Sequence, residues 1–166
     1  DQNNVIWVKI DRKRKVAATC LLRAFGFGSD EELLSLFKDV DTHATTRFIE
    51  ATLKIDTAKS EDEGLKEVYK RIRPGDLATI DNARDLIHKM FFSFDRYDFG
   101  RVGRYKLNTR FNFDFPITPE FRVLQRQDII EIVKQIIRLN NSQQEPDDID
   151  HLGNRRVRAI GELVQN

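Results

Sequence analysis

Cysteine is almost missing from this sequence: Cys20 is the one thiol among 166 residues. A lone cysteine excludes a disulfide framework and a cysteine-based zinc site. It sits among Ala17, Ala18, Leu21 and Leu22, which reads as a small buried hydrophobe. Charge of one sign is also missing. Lysine and arginine number 28 against 27 aspartates and glutamates, a formal net charge of +1. No global field therefore draws the chain onto a polyanion, and any nucleic-acid contact must come from local patches. Apolar runs of membrane length and a signal peptide are lacking too, which gives a cytoplasmic expectation with no membrane partner. Tryptophan occurs once and phenylalanine twelve times, pointing to a core or a face built on Phe.

The usual marks of catalysis are equally scarce. There is no Walker or Rossmann glycine-rich loop, no HExxH, no GxSxG and no Cys/His cluster. Asp95 and Asp98 could be taken as paired carboxylates of a nuclease or transferase, but a third ligand is lacking. Three apart and beside Arg96, they read better as helix-start or ion-pair residues. His88 lies at the edge of an apolar helical stripe without a second ligand at helical spacing, and His43 falls in a loop.

What is present organises well along the chain. Residues 4–10 alternate, with Val5, Trp7 and Lys9 on one side and Ile6, Val8 and Ile10 on the other, a strand pattern. Asp11, Arg12, Lys13, Arg14 and Lys15 then turn the chain. Four consecutive bases make the densest positive patch, either a solvated hairpin tip or a phosphate contact. A helix is expected over 17–25, ended by Gly26 in a left-handed cap. Ser29 with Glu32 and Ser60 with Glu63 have the form of capping boxes. They open a short helix burying Leu33, Leu36 and Phe37, and a longer one carrying Leu65, Val68, Tyr69 and Ile72, stopped at Pro74-Gly75. Between them lies a polar loop over 39–46. Ile49, Ala51, Leu53 and Ile55 then alternate with polar residues, which predicts a second strand.

From about Thr79, residues Ile80, Ala83, Leu86, Ile87, Met90 and Phe91 form a helical stripe. A turn over 93–100 leads into a short helix with Arg101, Arg104, Lys106 and Arg110 as a basic side. Residues 111–121 (FNFDFPITPEF) alternate Phe with polar residues and carry two prolines, so an extended loop or edge strand is expected. Residues 128–139 form the clearest helix, with Ile129, Ile130, Val133, Ile136 and Ile137 on one face. A polar linker over 140–146 follows.

The last stretch has a distinct design. Asp147, Asp148 and Asp150 precede Leu152-Gly153-Asn154, after which come Arg155, Arg156 and Arg158. Gly153 and Asn154 tolerate positive φ, so the acids and the arginines are expected on two arms of a bend. Carboxylates accept and guanidinium groups donate. Such a bend can read a base edge and hold its phosphate, or it can be an internally paired surface turn. Residues 159–165 start a helix in which the sequence stops.

Four blocks in order resemble the lobe domain (domain 2) of the bacterial RNA polymerase β subunit. They are IWVKIDRKRKVAATCLLRAFGF, EVYKRIRPGDLATIDNARDLIHKMFFSFDRYDFGRVGRYKLNTRF, QDIIEIVKQIIRLNN and DDIDHLGNRRVRAIGELVQN. The runs FFSFDRYDFGRVGRYK and DDIDHLGNRRVRAIGE are long enough to be specific. Two departures stand out: the connection over 38–46 is short where many members carry an insertion, and the 111–121 loop is idiosyncratic.

The resemblance implies an α+β fold, a helix-rich lobe with a small antiparallel sheet. It implies the lobe over 1–146 and the start of the next cleft segment over 147–166, cut from a much longer subunit, with the two ends close in space. It implies one wall of a DNA-binding cleft in a nucleotidyltransferase whose other subunits are β′, α and σ. The fragment itself is expected to be catalytically silent and without a cofactor, because the Mg²⁺ carboxylates lie in β′. Arg12, Lys13, Arg14 and Lys15 match the family's basic turn near DNA. Ile149, Asp150 and Arg155 match residues lining a pocket for an unpaired non-template guanine. A guanine presents two neighbouring donors that one carboxylate accepts. Because residues outside this sequence complete that pocket, the isolated chain is expected to bind DNA weakly. The competing expectation is a stand-alone helical interaction domain.

Overall fold

The computed structural model describes residues 2–10, 12–77, 79–93 and 97–142. It is helix-rich with one small antiparallel sheet, an α+β fold. The expectations at Asp95, at the acid–arginine bend and at the chain ends lie outside the described residues.

Strands β1 (Trp7–Lys9) and β2 (Lys15–Ala17) pair antiparallel, with Val8 opposite Val16. β2 runs directly into α1 (Ala18–Ala24), every residue of which is buried. Gly26 follows at φ 117°, the left-handed stop anticipated from its position after the helix. α4 (Glu61–Ile72) and α3 (Phe48–Ile55) pack on α1, α2 (Asp30–Phe37) packs on α3, and α5 (Ile80–Phe92) on α4. α1 and α4 approach closely at Gly64, where a Cβ would stand 2.8 Å from the Cβ of Arg23 and 3.0 Å from the carbonyl oxygen of Cys20.

The helix starts follow local chemistry. Ser29 Oγ accepts from the Glu32 amide at 3.1 Å, and Ser60 Oγ from the Glu63 amide at 3.2 Å. Glu63 reaches back past the cap and accepts from the Lys59 amide at 2.7 Å. Thr79 Oγ1 caps α5 through the Asn82 amide.

The second strand expected over 49–55 is instead α3. Its buried residues are Phe48, Ile49, Thr52 and Leu53, a spacing of one helical face. Ile55, which alternation would bury, is 45% exposed. The deciding group lies outside the segment: Asp41 is buried and accepts from the Phe48 and Ile49 amides at 2.9 and 3.0 Å. That carboxylate satisfies two orphan donors of the first turn.

Arg23 is a fully buried cation of this half. Its guanidinium reaches Asp56 at 3.2 Å, Asp30, and the Gly28 carbonyl. Asp56 also accepts from Thr19 Oγ1 at 2.7 Å and from the Ala58 amide at 3.0 Å. A buried ion of this kind is stable only when its hydrogen bonds are met.

The second half is built on α6 (Gly100–Phe111) and α7 (Arg126–Ser142). Of the basic side expected on α6, Arg101 and Lys106 are exposed, Arg110 is half-buried, and Arg104 is fully buried. Arg104 points inward because Asp128 and the Val123 carbonyl wait there. On α7 Ile129, Val133 and Ile137 are buried as expected, together with Ile132; Ile130 and Ile136 are half-buried. α7 also runs on through Ser142, into the stretch expected to be linker.

The loop after α6 opens at a left-handed Asn112 and carries no regular structure up to a 3-10 turn at Pro119–Phe121. Its phenylalanines form a ladder, Phe111 to Phe113 at 5.8 Å, Phe113 to Phe115 at 5.1 Å and Phe115 to Phe121 at 5.3 Å. Tyr97 and Arg126 join the halves. Tyr97 Oη donates to the Phe91 carbonyl and accepts from the Leu124 amide, while Arg126 donates to the Phe25 carbonyl. Among the described residues no helix is long and apolar enough to cross a membrane.

Candidate nucleic-acid interface

The basic turn is the tip of the β1–β2 hairpin. The Ile10 amide donates to the Arg14 carbonyl at 2.9 Å and closes it. Ile10 and Val16 on either side are 4% exposed, so the hairpin is rooted in the core by its apolar residues. The Ile6 amide adds a bond to Thr52 Oγ1 of α3 at 3.0 Å. Between these two buried anchors the apex of the tip projects away from the core. Arg12 and Lys13 are accordingly exposed.

Lys15 and Arg14 make defined contacts within the fold. Lys15 Nζ lies 4.2 Å from the centroid of the Trp7 ring, a cation–π contact across the strand pair. Lys15 nonetheless remains exposed. Arg14 is half-buried, and its Nη1 donates to the Arg71 carbonyl at 2.9 Å and the Ile72 carbonyl at 2.7 Å. Those carbonyls end α4. They lack intrahelical donors and carry the negative end of the helix dipole, so a guanidinium is well placed there.

This contact brings a second basic group to the turn. Arg71 and Arg73 at the end of α4 are exposed beside it. Lys70 is exposed as well and pairs with Glu67 at 3.4 Å. The exposed Asp76 is the acid of the turn that follows. Reading the sequence in order missed this juxtaposition because the bond joins residues 57 positions apart. The available signal is the basic helix end Lys70-Arg71-Ile72-Arg73 ahead of the Pro74-Gly75 stop.

Other candidate positions behave as expected or fall outside what is described. Asp98 Oδ1 accepts from the Gly100 amide at 2.7 Å and pairs with Arg122 at 3.2 Å, the role of a turn and ion-pair residue. Ile149, Asp150 and Arg155 lie outside the described residues, so the guanine pocket receives no geometry. Cys20 is buried, its thiol pushed up to about 12 chiefly by desolvation.

Comparison with known proteins gives a consistent result. A family profile described as RNA polymerase Rpb2, domain 2, matches residues 1–158. A protein of Dehalococcoides mccartyi named DNA-directed RNA polymerase subunit beta is 48% identical over 98% of this chain and 13% of the relative. Proteins of the same name from Chloroflexus aggregans and Gloeobacter violaceus are 45% and 43% identical, over 99% and 100% of this chain. The chain covers 16% and 14% of those two relatives, a small part of their length.

Proposed function

The chain belongs to the RNA polymerase β-subunit family, as its Rpb2-type domain 2, and from that premise we propose that it forms one wall of the DNA-binding cleft of a DNA-directed RNA polymerase. In this reading it contacts promoter and downstream DNA and leaves nucleotidyl transfer to the rest of the enzyme. The Mg²⁺ carboxylates belong to β′, and β′, α and σ are the protein partners. Residues 1–146 form the lobe and residues 147–166 begin the next cleft segment, in a cytoplasmic enzyme.

The observation that carries the reading is the hairpin tip. Two exposed cations, Arg12 and Lys13, stand on a turn whose flanking residues are sunk in the core. A patch of this kind holds a polyanion through counterion release without reading its sequence. Arg14 and Lys15 add charge to the same turn. Base discrimination is assigned to Ile149, Asp150 and Arg155, with Asp150 accepting from an unpaired guanine and Arg155 holding its backbone or face. The family match favours this reading over a stand-alone interaction domain.

The salt dependence of DNA affinity tests it. In polymerase assembled with the full-length β subunit, Lys13→Met should lower the slope of log affinity against log salt by about 0.9, one phosphate contact. An unchanged slope and unchanged affinity would remove the tip from the DNA surface.

A further inference from the structure

We propose that Arg14 is a positioning residue: it latches the hairpin tip to the C-terminal end of α4, so that the tip cations and the α4-end cations are held as one surface. This rests on the reading of the tip as a DNA contact and assigns its four bases different tasks.

The geometry separates Arg14 from its neighbours. Arg12 and Lys13 are exposed, whereas Arg14 is half-buried with one nitrogen shared between two carbonyls, at 2.9 and 2.7 Å. The acceptors are the last carbonyls of α4. A cation there completes hydrogen bonds the helix cannot make for itself. It also sits against a negative helix end, which a phosphate would not share.

The latch joins two segments of like charge. Arg12 and Lys13 on one segment and Arg71 and Arg73 on the other are like charges on adjoining segments. Like charges do not hold two segments together, so a fixed bond is what sets their relative position. α4 is a suitable anchor, because Gly64 lets it pack closely on the buried α1. The tip is thereby referenced to the core through Ile10 and Val16 on one side and through Arg14 on the other.

Arginine is suited to this task and lysine is not. One guanidinium nitrogen, Nη1, serves both carbonyls; a lysine Nζ stands one bond nearer the backbone and falls short of them, and an ammonium is a compact, strongly hydrated point charge. For a phosphate contact, the two differ far less. Arg14→Lys therefore separates the roles, since it keeps the charge and loses the reach to the two carbonyls.

The experiment uses polymerase assembled with the full-length β subunit and a promoter duplex as probe. Affinity is measured against salt for Arg14→Lys, Arg14→Met, Lys13→Met and the Lys13/Arg14 double Met variant. Hydrogen exchange of residues 9–15 and 69–73 is followed on the same enzymes. Positioning predicts faster exchange in both segments for both Arg14 variants. It also predicts that Lys and Met at position 14 weaken DNA binding alike, by roughly tenfold, the scale of a lost charge-assisted bond. The effect of Lys13→Met should shrink once Arg14 is gone, the signature of coupled residues.

Near-normal affinity for Arg14→Lys, with a slope lowered by about 0.9 in Arg14→Met and additive effects, would overturn the proposal and make Arg14 a direct phosphate contact. Unchanged exchange would overturn the latch itself. Faster exchange with no change of DNA affinity in any variant, Lys13→Met included, would refute the tip as a DNA surface, and the positioning role with it, while leaving the latch as a structural bond.

Discussion

Arg104 and Asp128 face each other as a two-pronged ion pair, Nη1 to Oδ1 at 2.9 Å and Nη2 to Oδ2 at 2.6 Å, with both side chains fully buried. The same carboxylate accepts from the Gln125 amide at 2.8 Å, and the guanidinium also donates to the Phe121 and Val123 carbonyls. The pair thus fixes α6, the start of α7 and the end of the Phe loop together. Removing one partner leaves the other charge buried and uncompensated. Asp128→Ala should cost about 3–5 kcal/mol, read as a lower urea midpoint. A loss below about 1 kcal/mol, the range of a surface pair, would mean the pair is not buried in solution.

The thiol of Cys20 gives a pH-dependent prediction. Burial raises it from 9.0 to about 12 in the folded chain, so it stays neutral where the unfolded thiol ionises. The unfolded state then binds fewer protons than the native state above pH 9, and stability falls as pH rises. Below the ordinary thiol range the contribution is fully present; it is lost progressively towards pH 12. Tyr97 is raised by burial too and acts in the same direction. Cys20→Ala should therefore lose stability less steeply between pH 8.5 and 10.5 than the parent chain, as judged by urea unfolding at matched ionic strength. Parallel curves would show that the thiol is solvated.

Base preference tests the guanine pocket. In assembled polymerase, Asp150→Ala should reduce the preference for guanine at one unpaired non-template position. The loss should be about 1–3 kcal/mol of discrimination, the scale of one good bidentate base contact. Competition between promoters differing only at that base measures it. Equal preference in variant and parent would remove Asp150 from base recognition.

Features specified by neighbours along the chain were legible. Ser29, Ser60 and Thr79 cap their helices within three residues, and Gly26 takes the positive φ its position demands. β1 and the turn after it, α4, α5 and α7 follow from patterns of that range, whereas the pairing strand β2 at Lys15–Ala17 does not. What long-range partners decide was not legible. Residues 49–55 alternate like a strand, yet Asp41 caps them as a helix. Arg104 belongs to a basic series along α6, yet Asp128 on α7 turns it inward. In the candidate site, Arg12 and Lys13 were legible as an exposed turn. The separate task of Arg14 depends on carbonyls of α4 that no local pattern announces.

The most direct measurement places a photo-crosslinker at position 13 of the full-length β subunit and irradiates the assembled polymerase on promoter DNA. The account predicts a crosslink from position 13 to DNA, lost when high salt dissociates the complex. A fully formed promoter complex in which position 13 crosslinks only to protein, or not at all, would contradict it.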